Sequence, residues 1–269
     1  MVIEENKDYS QIAGNGQAAY INTLMANSAL LTNSFGITHP SQPNYIALFS
    51  GSTQGVVDNT VPQTFSAPNL ASVLIDGGFT FGGYSQTMPS VGFTGASAGA
   101  SNEYQRKHNP WVDFTNLPAN VNMPFTMFPT DFNTLPTVSI VVPDQLNDMH
   151  DGTIAAADNW LQTNLGAYIT WAQSHNSLFI LTFDENDGTA GNHIVTFITG
   201  AGVINGQYSQ TIDHYGLLRT IEDLYGVGYA GASASATPFS AGFVPEPSTF
   251  SLVVTGAGLA LFAARYNRR

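Results

Sequence analysis

Leu178-Phe179-Ile180-Leu181-Thr182-Phe183 runs directly into Asp184-Glu185-Asn186-Asp187. A six-residue run apolar on both faces predicts a strand buried between two layers, as in a parallel sheet covered by helices. In open α/β sheets, ligand sites form at the carboxyl ends of the strands, and here that position holds two consecutive carboxylates. The pattern recurs where Val2-Ile3 leads into Glu4-Glu5-Asn6, and where residues 139–142 lead into Pro143-Asp144. Three strands that end in acid would crowd one sheet edge with carboxylates. Such groups repel each other unless they are protonated or bridged by a cation.

Further strand-length apolar runs cover residues 80–84, 137–142 and 194–199, and helical spacing covers 18–31, 67–75, 154–172 and 214–225. Strands alternating with helices predict an α/β fold with a mostly parallel central sheet flanked by helices. Residues 51–65 and 82–122 are rich in Gly, Ser, Asn and Pro and read as long loops.

Composition narrows the function. The chain has 269 residues, no cysteine, and 7 Lys+Arg against 19 Asp+Glu. Thiol catalysis and thiolate metal sites are excluded, so a metal would be held by oxygen and imidazole. Residues 1–243 carry only Lys7, Arg106, Lys107 and Arg219 against 18 acidic residues, a net of −14. That balance argues against nucleic-acid binding, which needs basic side chains for phosphate contacts. It also repels anionic substrates unless bound cations invert the local field.

His39-Pro40-Ser41-Gln42-Pro43-Asn44-Tyr45 precedes an apolar stretch closed by Gly51. Read alone, Ser41 is an ordinary N-cap before a first-turn proline, or a nucleophile at a helix N-terminus that favours an alkoxide and phosphate oxygens. Glu-Glu-Asn at a strand end, this His-Pro-Ser-Gln-Pro-Asn-Tyr segment, Asn147-Asp148-Met149-His150-Asp151, Phe183-Asp184-Glu185-Asn186-Asp187 and Ile212-Asp213-His214-Tyr215 follow one another in order. In that order they resemble the bacterial phosphoesterase family of acid phosphatases and phospholipases C, within the alkaline phosphatase superfamily. The resemblance covers roughly residues 1–226.

What the resemblance implies can be carried over by position. In the related nucleotide pyrophosphatase/phosphodiesterases the nucleophile stands directly before an X-Pro-Asn-like unit, which places Ser41 in that role. An asparagine after that helix donates to a phosphate oxygen, and Asn59 is the best match. One metal site would draw on Glu5 or Asn6, Ser41, Asp184 and Glu185, and a second on Asp144, Asp148 and His193. Histidines expected at the second position of each pair are here Glu185 and Asp148. Harder oxygen ligands shift the expected ion from Zn toward Mg, Ca or Mn, with one or two ions open. His150 is a candidate ligand or general acid, His39 a substrate-binding candidate. Arg106 and Lys107 read either as a solvated pair or as neutralisers of substrate phosphate.

The expected function is metal-dependent hydrolysis of a phosphate monoester, acid phosphatase-like, through a phosphoseryl intermediate. A phosphodiesterase or phospholipase C-like activity on the same scaffold is the first alternative. A catalytically idle metal-binding surface protein is the second.

Beyond Phe243 the composition changes. Val244-Pro245-Glu246-Pro247-Ser248-Thr249 precedes an apolar stretch, residues 250–264, and an Arg265-Tyr266-Asn267-Arg268-Arg269 end. Fifteen residues are short of the about 20 a free-standing transmembrane helix uses. In this order, however, the parts resemble the PEP-CTERM sorting signal of exported bacterial proteins. That implies a short membrane segment, positive end inside, processed by exosortase-type machinery. The domain reading is therefore a phosphoesterase domain over 1–243 and a sorting signal over 244–269. The expected location is exported: membrane-anchored, or in the cell envelope or outside it after processing. Exported proteins begin with a leader, whereas Met1-Val2-Ile3 reads as the end of a buried strand. A truncated first strand, with the leader upstream, is the corresponding expectation.

Overall fold

A computed structural model describes residues 1–189 and 191–244. In chain order the main elements are β1 (Val2–Glu4), α1 (Tyr9–Ile12), α2 (Ala19–Ala26), β2 (Ala29–Phe35), α3 (Ser41–Ser50), α4 (Leu70–Asp76) and β3 (Phe81–Ser85). They continue with β4 (Ser97–Ala98), β5 (Tyr104–Gln105), β6 (Asn122–Pro124), β7 (Val138–Val142), α5 (Ile154–Ala172), β8 (Leu178–Phe183) and β9 (His193–Gly200). The last are β10 (Gly206–Tyr208), β11 (Ile212–Asp213) and α6 (His214–Tyr225).

The sheet runs β10-β2-β9-β8-β1-β7-β3-β6, with β11 also on β2, while β4 and β5 form a separate hairpin. It is mostly parallel: β1 lies between β7 and β8, with Val2 opposite both Val141 and Leu181. Among the described strands of this sheet, only β9 runs against its neighbours, β2 and β8. Both faces are covered, which is why the strands lack alternation. Ile3, Leu31, Ile140, Ile180 and Ile198 pack with Leu48, Leu74, Leu217 and Ile221 from α3, α4 and α6. Val2, Leu30, Val141, Leu181 and Phe197 pack with Ile12, Ile21, Leu161 and Leu165 from α1, α2 and α5. Burying both faces supplies the main driving force for the fold.

One expectation fails. Residues 18–31 are not a single helix: α2 stops at Ala26, and Ala29–Phe35 forms β2. Asn27 caps the helix, with its side chain donating to Thr23 O at 2.8 Å, and Ser28 Oγ donates to Leu24 O. The chain then turns to pair Ala29 to Phe35 with β9. The apolar residues of β2 fit helical spacing as well as a buried strand, and sheet pairing decides between them. The proposed membrane segment and the rest of the tail lie outside the described residues. Among the described residues, no helix is long and apolar enough to cross a membrane.

Glycine shapes the sheet at Gly83 in β3. A Cβ there would meet the indole of Trp111 at 2.2 Å, so the ring lies directly on the strand backbone. Trp111 is held in place by its Nε1–H, which donates to Asn122 Oδ1 at 2.8 Å. Overpacking of this kind typically costs about 1–3 kcal/mol. Gly83→Ala should therefore lower the urea midpoint with an unchanged m-value. An unaltered midpoint would show that Trp111 moves aside freely.

Candidate active site

The carboxyl edge of the sheet brings the acids together. The end of β1 supplies Glu4, Glu5 and Asn6, and the end of β8 supplies Asp184 and Glu185. The turn after β7 supplies Asp148. Backbone bonds join these ends directly: Glu5 N–H donates to Asp148 O at 2.7 Å, and Asp184 N–H to Glu4 O at 3.1 Å. Behind them, the buried His214 at the start of α6 bonds through Nε2 to Asp184 O at 2.5 Å.

α3 points its amino end at this cluster. Its N-cap is Pro40, which makes no side-chain cap bond, so Ser41 is the first helical residue and its hydroxyl is not spent on capping. Ser41 Oγ instead lies 3.1 Å from Glu5 Oε2, 3.1 Å from Glu185 Oε1 and 3.5 Å from Asn6 Oδ1. Asn59 Oδ1 accepts from the next helical amide, Gln42 N–H, at 3.0 Å. Asn44 shapes the preceding loop: its oxygen accepts from Ile37 and Thr38 N–H, and its amide donates to Thr38 O and, at 3.3 Å, to Glu185 Oε2.

Glu5 is the hub. One oxygen faces Ser41, and the other accepts from the Tyr45 hydroxyl and lies 3.2 Å from His108 Nε2. His108 Nδ1 is 3.9 Å from Asp148 Oδ2, and its ring stacks on Tyr45 with centroids 5.0 Å apart. Glu5, His108 and Asp148 each offer one atom within a 4.8 Å group.

Burial dominates the electrostatics. Glu5 is fully buried and its carboxyl is pushed up to about 7. Burial also raises Glu4, Asp148 and Asp184 well above the usual carboxylate range, and neighbouring carboxylates add to the rise. Glu185 is raised by burial as well, and the His39 charge pulls it back. Burial holds His108 well below its ordinary value, so it is neutral. Lys107 is half-buried, and its ammonium lowers Glu5 and Glu185.

This donor set fits a divalent cation. Asp184 Oδ2, Asp148 Oδ2 and His108 Nε2 are buried without hydrogen-bond partners among the described residues. With its amide nitrogen turned inward, Asn6 donates to Glu5 Oε2 at 2.9 Å and to Asp184 Oδ1 at 3.2 Å. A cation among the carboxylates would satisfy their orphaned oxygens. Oxygen donors predominate, as hard cations prefer.

The structure brings Ser41, Glu5, Asn6, Asp184 and Glu185 into one group, with Asp148 beside it. His39 joins them through Nδ1, 2.6 Å from Glu185 Oε2. His150 stands next to His108 with ring centroids 6.3 Å apart, and its Nδ1 bonds to Asp151 at 2.7 Å. Three candidates are placed elsewhere. Arg106 is buried against Asp113, with Nη2 2.7 Å from Oδ1, and donates to Thr94 O. Asp144 closes its own turn, accepting from Leu146 N–H, Asn147 and Thr87 Oγ1. His193 bonds to Thr32 O and stacks on Tyr9 at 4.6 Å. His108 and Tyr45 were missing from the expected site. Both sit inside the motif-bearing segments, but stacking across sequence-distant segments leaves no periodic signal.

The fold has known counterparts. A protein of the alkaline phosphatase superfamily from Vibrio parahaemolyticus matches with a TM-score of 0.62 over 89% of this chain and 69% of that one, at 11% identity. Residues 14–228 match the model of the Phosphoesterase family, and the chain belongs to that family, as a phosphoric ester hydrolase. Among curated relatives, a phosphatidylinositol-3-phosphatase of Mycobacterium tuberculosis is 47% identical, over 89% of this chain and 80% of its own length. A phosphate-repressible acid phosphatase of Penicillium chrysogenum is 31% identical over 84% of this chain, which spans 58% of that protein.

The raised carboxyls set a pH signature. A carboxyl whose folded value lies above its unfolded one stabilises the fold below the ordinary range, and that contribution is lost as pH rises through the folded value. With chelator present, the thermal midpoint should therefore fall by about 5–10 °C between pH 5 and pH 8. Adding Mg, Ca, Mn or Zn singly at pH 8 should restore it for the ion that fits. A metal-free protein equally stable at both pH values would refute the buried-carboxylate account.

Proposed function

We propose that this protein is a metal-dependent phosphomonoesterase that uses Ser41 as its nucleophile. The observation that carries the reading is the Ser41 hydroxyl, free of capping and 3.1 Å from two carboxylates at the amino end of α3.

A divalent cation held by Glu5, Asn6, Ser41, Asp184 and Glu185 would lower the pKa of the serine hydroxyl and offset the carboxylate charge. Glu5 or Glu185, each 3.1 Å from Oγ, would accept the single hydroxyl proton of Ser41. The positive amino end of α3 would favour the phosphate oxygens through the helix dipole. Asn59 holds Gln42 N–H by its oxygen, and its amide nitrogen would donate to the same phosphate. Lys107, whose ammonium lowers Glu5 and Glu185, would offer a cation to the phosphate. His150, oriented by Asp151, is the candidate proton donor to the leaving alcohol. Attack by Ser41 forms an O–P bond as the ester O–P bond breaks, and water then hydrolyses the phosphoserine.

The 47% identity to a phosphatidylinositol-3-phosphatase makes a phosphoinositide 3-phosphate the first natural substrate to try. The fungal acid phosphatase relative favours a broader monoester range. The sorting signal, membrane anchoring and export remain part of the proposal and are read by fractionating native cells.

Chelated enzyme should be inactive on p-nitrophenyl phosphate and recover with one added divalent ion, while bis-p-nitrophenyl phosphate stays a poor substrate. The reverse preference would make it a diesterase. Ser41→Ala should lower kcat at least about 10³-fold and leave the cation-dependent midpoint in place. Turnover near the native rate in that variant would remove Ser41 from the nucleophile role. Lys107→Met should raise KM for the monoester about 10-fold or more with a smaller change in kcat, and an unchanged KM would exclude contact with the phosphate.

A further inference from the structure

Tyr45 has no part in the chemistry above, yet its hydroxyl reaches into the acid cluster. Ser41 begins α3, and residues four apart share a helix face, so both side chains meet the same carboxylate. They take different oxygens. Ser41 Oγ lies 3.1 Å from Glu5 Oε2, whereas the Tyr45 hydroxyl donates to Oε1.

A carboxylate oxygen has two lone pairs, and the two oxygens of Glu5 differ in what they have left. Oε2 accepts from the Asn6 amide at 2.9 Å and keeps its other side toward Ser41. Oε1 has Tyr45 on one side and His108 Nε2 on the other, 3.2 Å away. The His108 ring stacks on Tyr45 with 19° between their planes, and both side chains are buried. Glu5 cannot turn its carboxylate without leaving that buried phenol unpaired, which is costly.

The same division recurs at the neighbouring acids. Glu185 turns Oε1 to Ser41 at 3.1 Å, while Oε2 lies 2.6 Å from His39 Nδ1 and accepts from the Asn44 amide at 3.3 Å. Asp184 Oδ1 accepts from Asn6 N–H at 3.4 Å, while Oδ2 is buried with no partner among the described residues. Each of the three carboxylates has one oxygen tied and one left to offer.

That count matters to the ion. Ca takes about six to eight oxygens and readily accepts both from one carboxylate, whereas Mg demands a near-ideal octahedron at about 2.0–2.1 Å. Single oxygens from separate carboxylates suit the smaller ion. We propose that Tyr45 is a positioning residue that decides ion selectivity: by holding Oε1 it limits Glu5 to one-oxygen coordination and so favours Mg or Mn over Ca. The inference rests on the cation reading given above and adds which ion the site takes and which side chain decides it.

The test titrates the full chain, stripped with chelator, with Mg, Mn and Ca singly by calorimetry. Native protein is compared with Tyr45→Phe, which keeps the ring against His108 and loses only the hydroxyl. Tyr168→Phe is the control, since it removes a tyrosine hydroxyl that donates to Leu178 O at the far end of β8. Native protein and control should bind Mg and Mn more tightly than Ca. Tyr45→Phe should shrink the Mg-to-Ca preference about tenfold or more, an effect that general loosening of the fold, which weakens both ions alike, does not produce. An unchanged ratio in Tyr45→Phe, or tighter binding of Ca than Mg by the native protein, would overturn the proposal. The native preference needs no variant, so the proposal stays refutable even where Tyr45→Phe fails to fold. Native protein that binds none of the three ions would overturn the cation reading itself.

Discussion

Like charges forced together out of water govern this molecule. Glu4, Glu5, Asp148, Asp184 and Glu185 are all buried at one sheet edge, where ionising more than one or two of them without a counter-charge is prohibitive. Protons or a cation must balance them. The surroundings of the site follow from that need. Ser41 and Tyr45 donate to Glu5, His39 leans on Glu185, and Lys107 lends its field. The rest of the fold holds these groups still: β1 is clamped between two longer strands, and α6 ties His214 to the backbone of Asp184.

Much of this was legible in the sequence because it rests on local patterns. A doubly buried strand reads as an apolar run, and residues 178–183 coincide with β8. Acids just past such runs identify the site edge, and Glu5, Asp184 and Glu185 do meet there. α5 and α6 follow from periodicity, and their bounds match. What escaped depends on partners distant in sequence. β2 looks helical until β9 is beside it. The reversed direction of β9 carries no local mark, and although it brings His193 to the carboxyl edge, the ring is taken up by Tyr9. Arg106 and Lys107 are adjacent in sequence but differ in fate: Asp113 claims the first, while the charge of the half-buried second lowers Glu5.

The surplus of acid has a kinetic consequence. Residues 1–243 carry a net charge of −14, and the Lys107 charge lowers both Glu5 and Glu185. A dianionic phosphate ester approaching from a distance meets repulsion before it reaches the site. Dissolved salt screens that long-range field within about 10 Å at 0.1 M and leaves the short contacts inside the site largely intact. Ionic strength should therefore speed capture of the ester, the opposite of the usual behaviour for an enzyme that draws anions in with a positive surface.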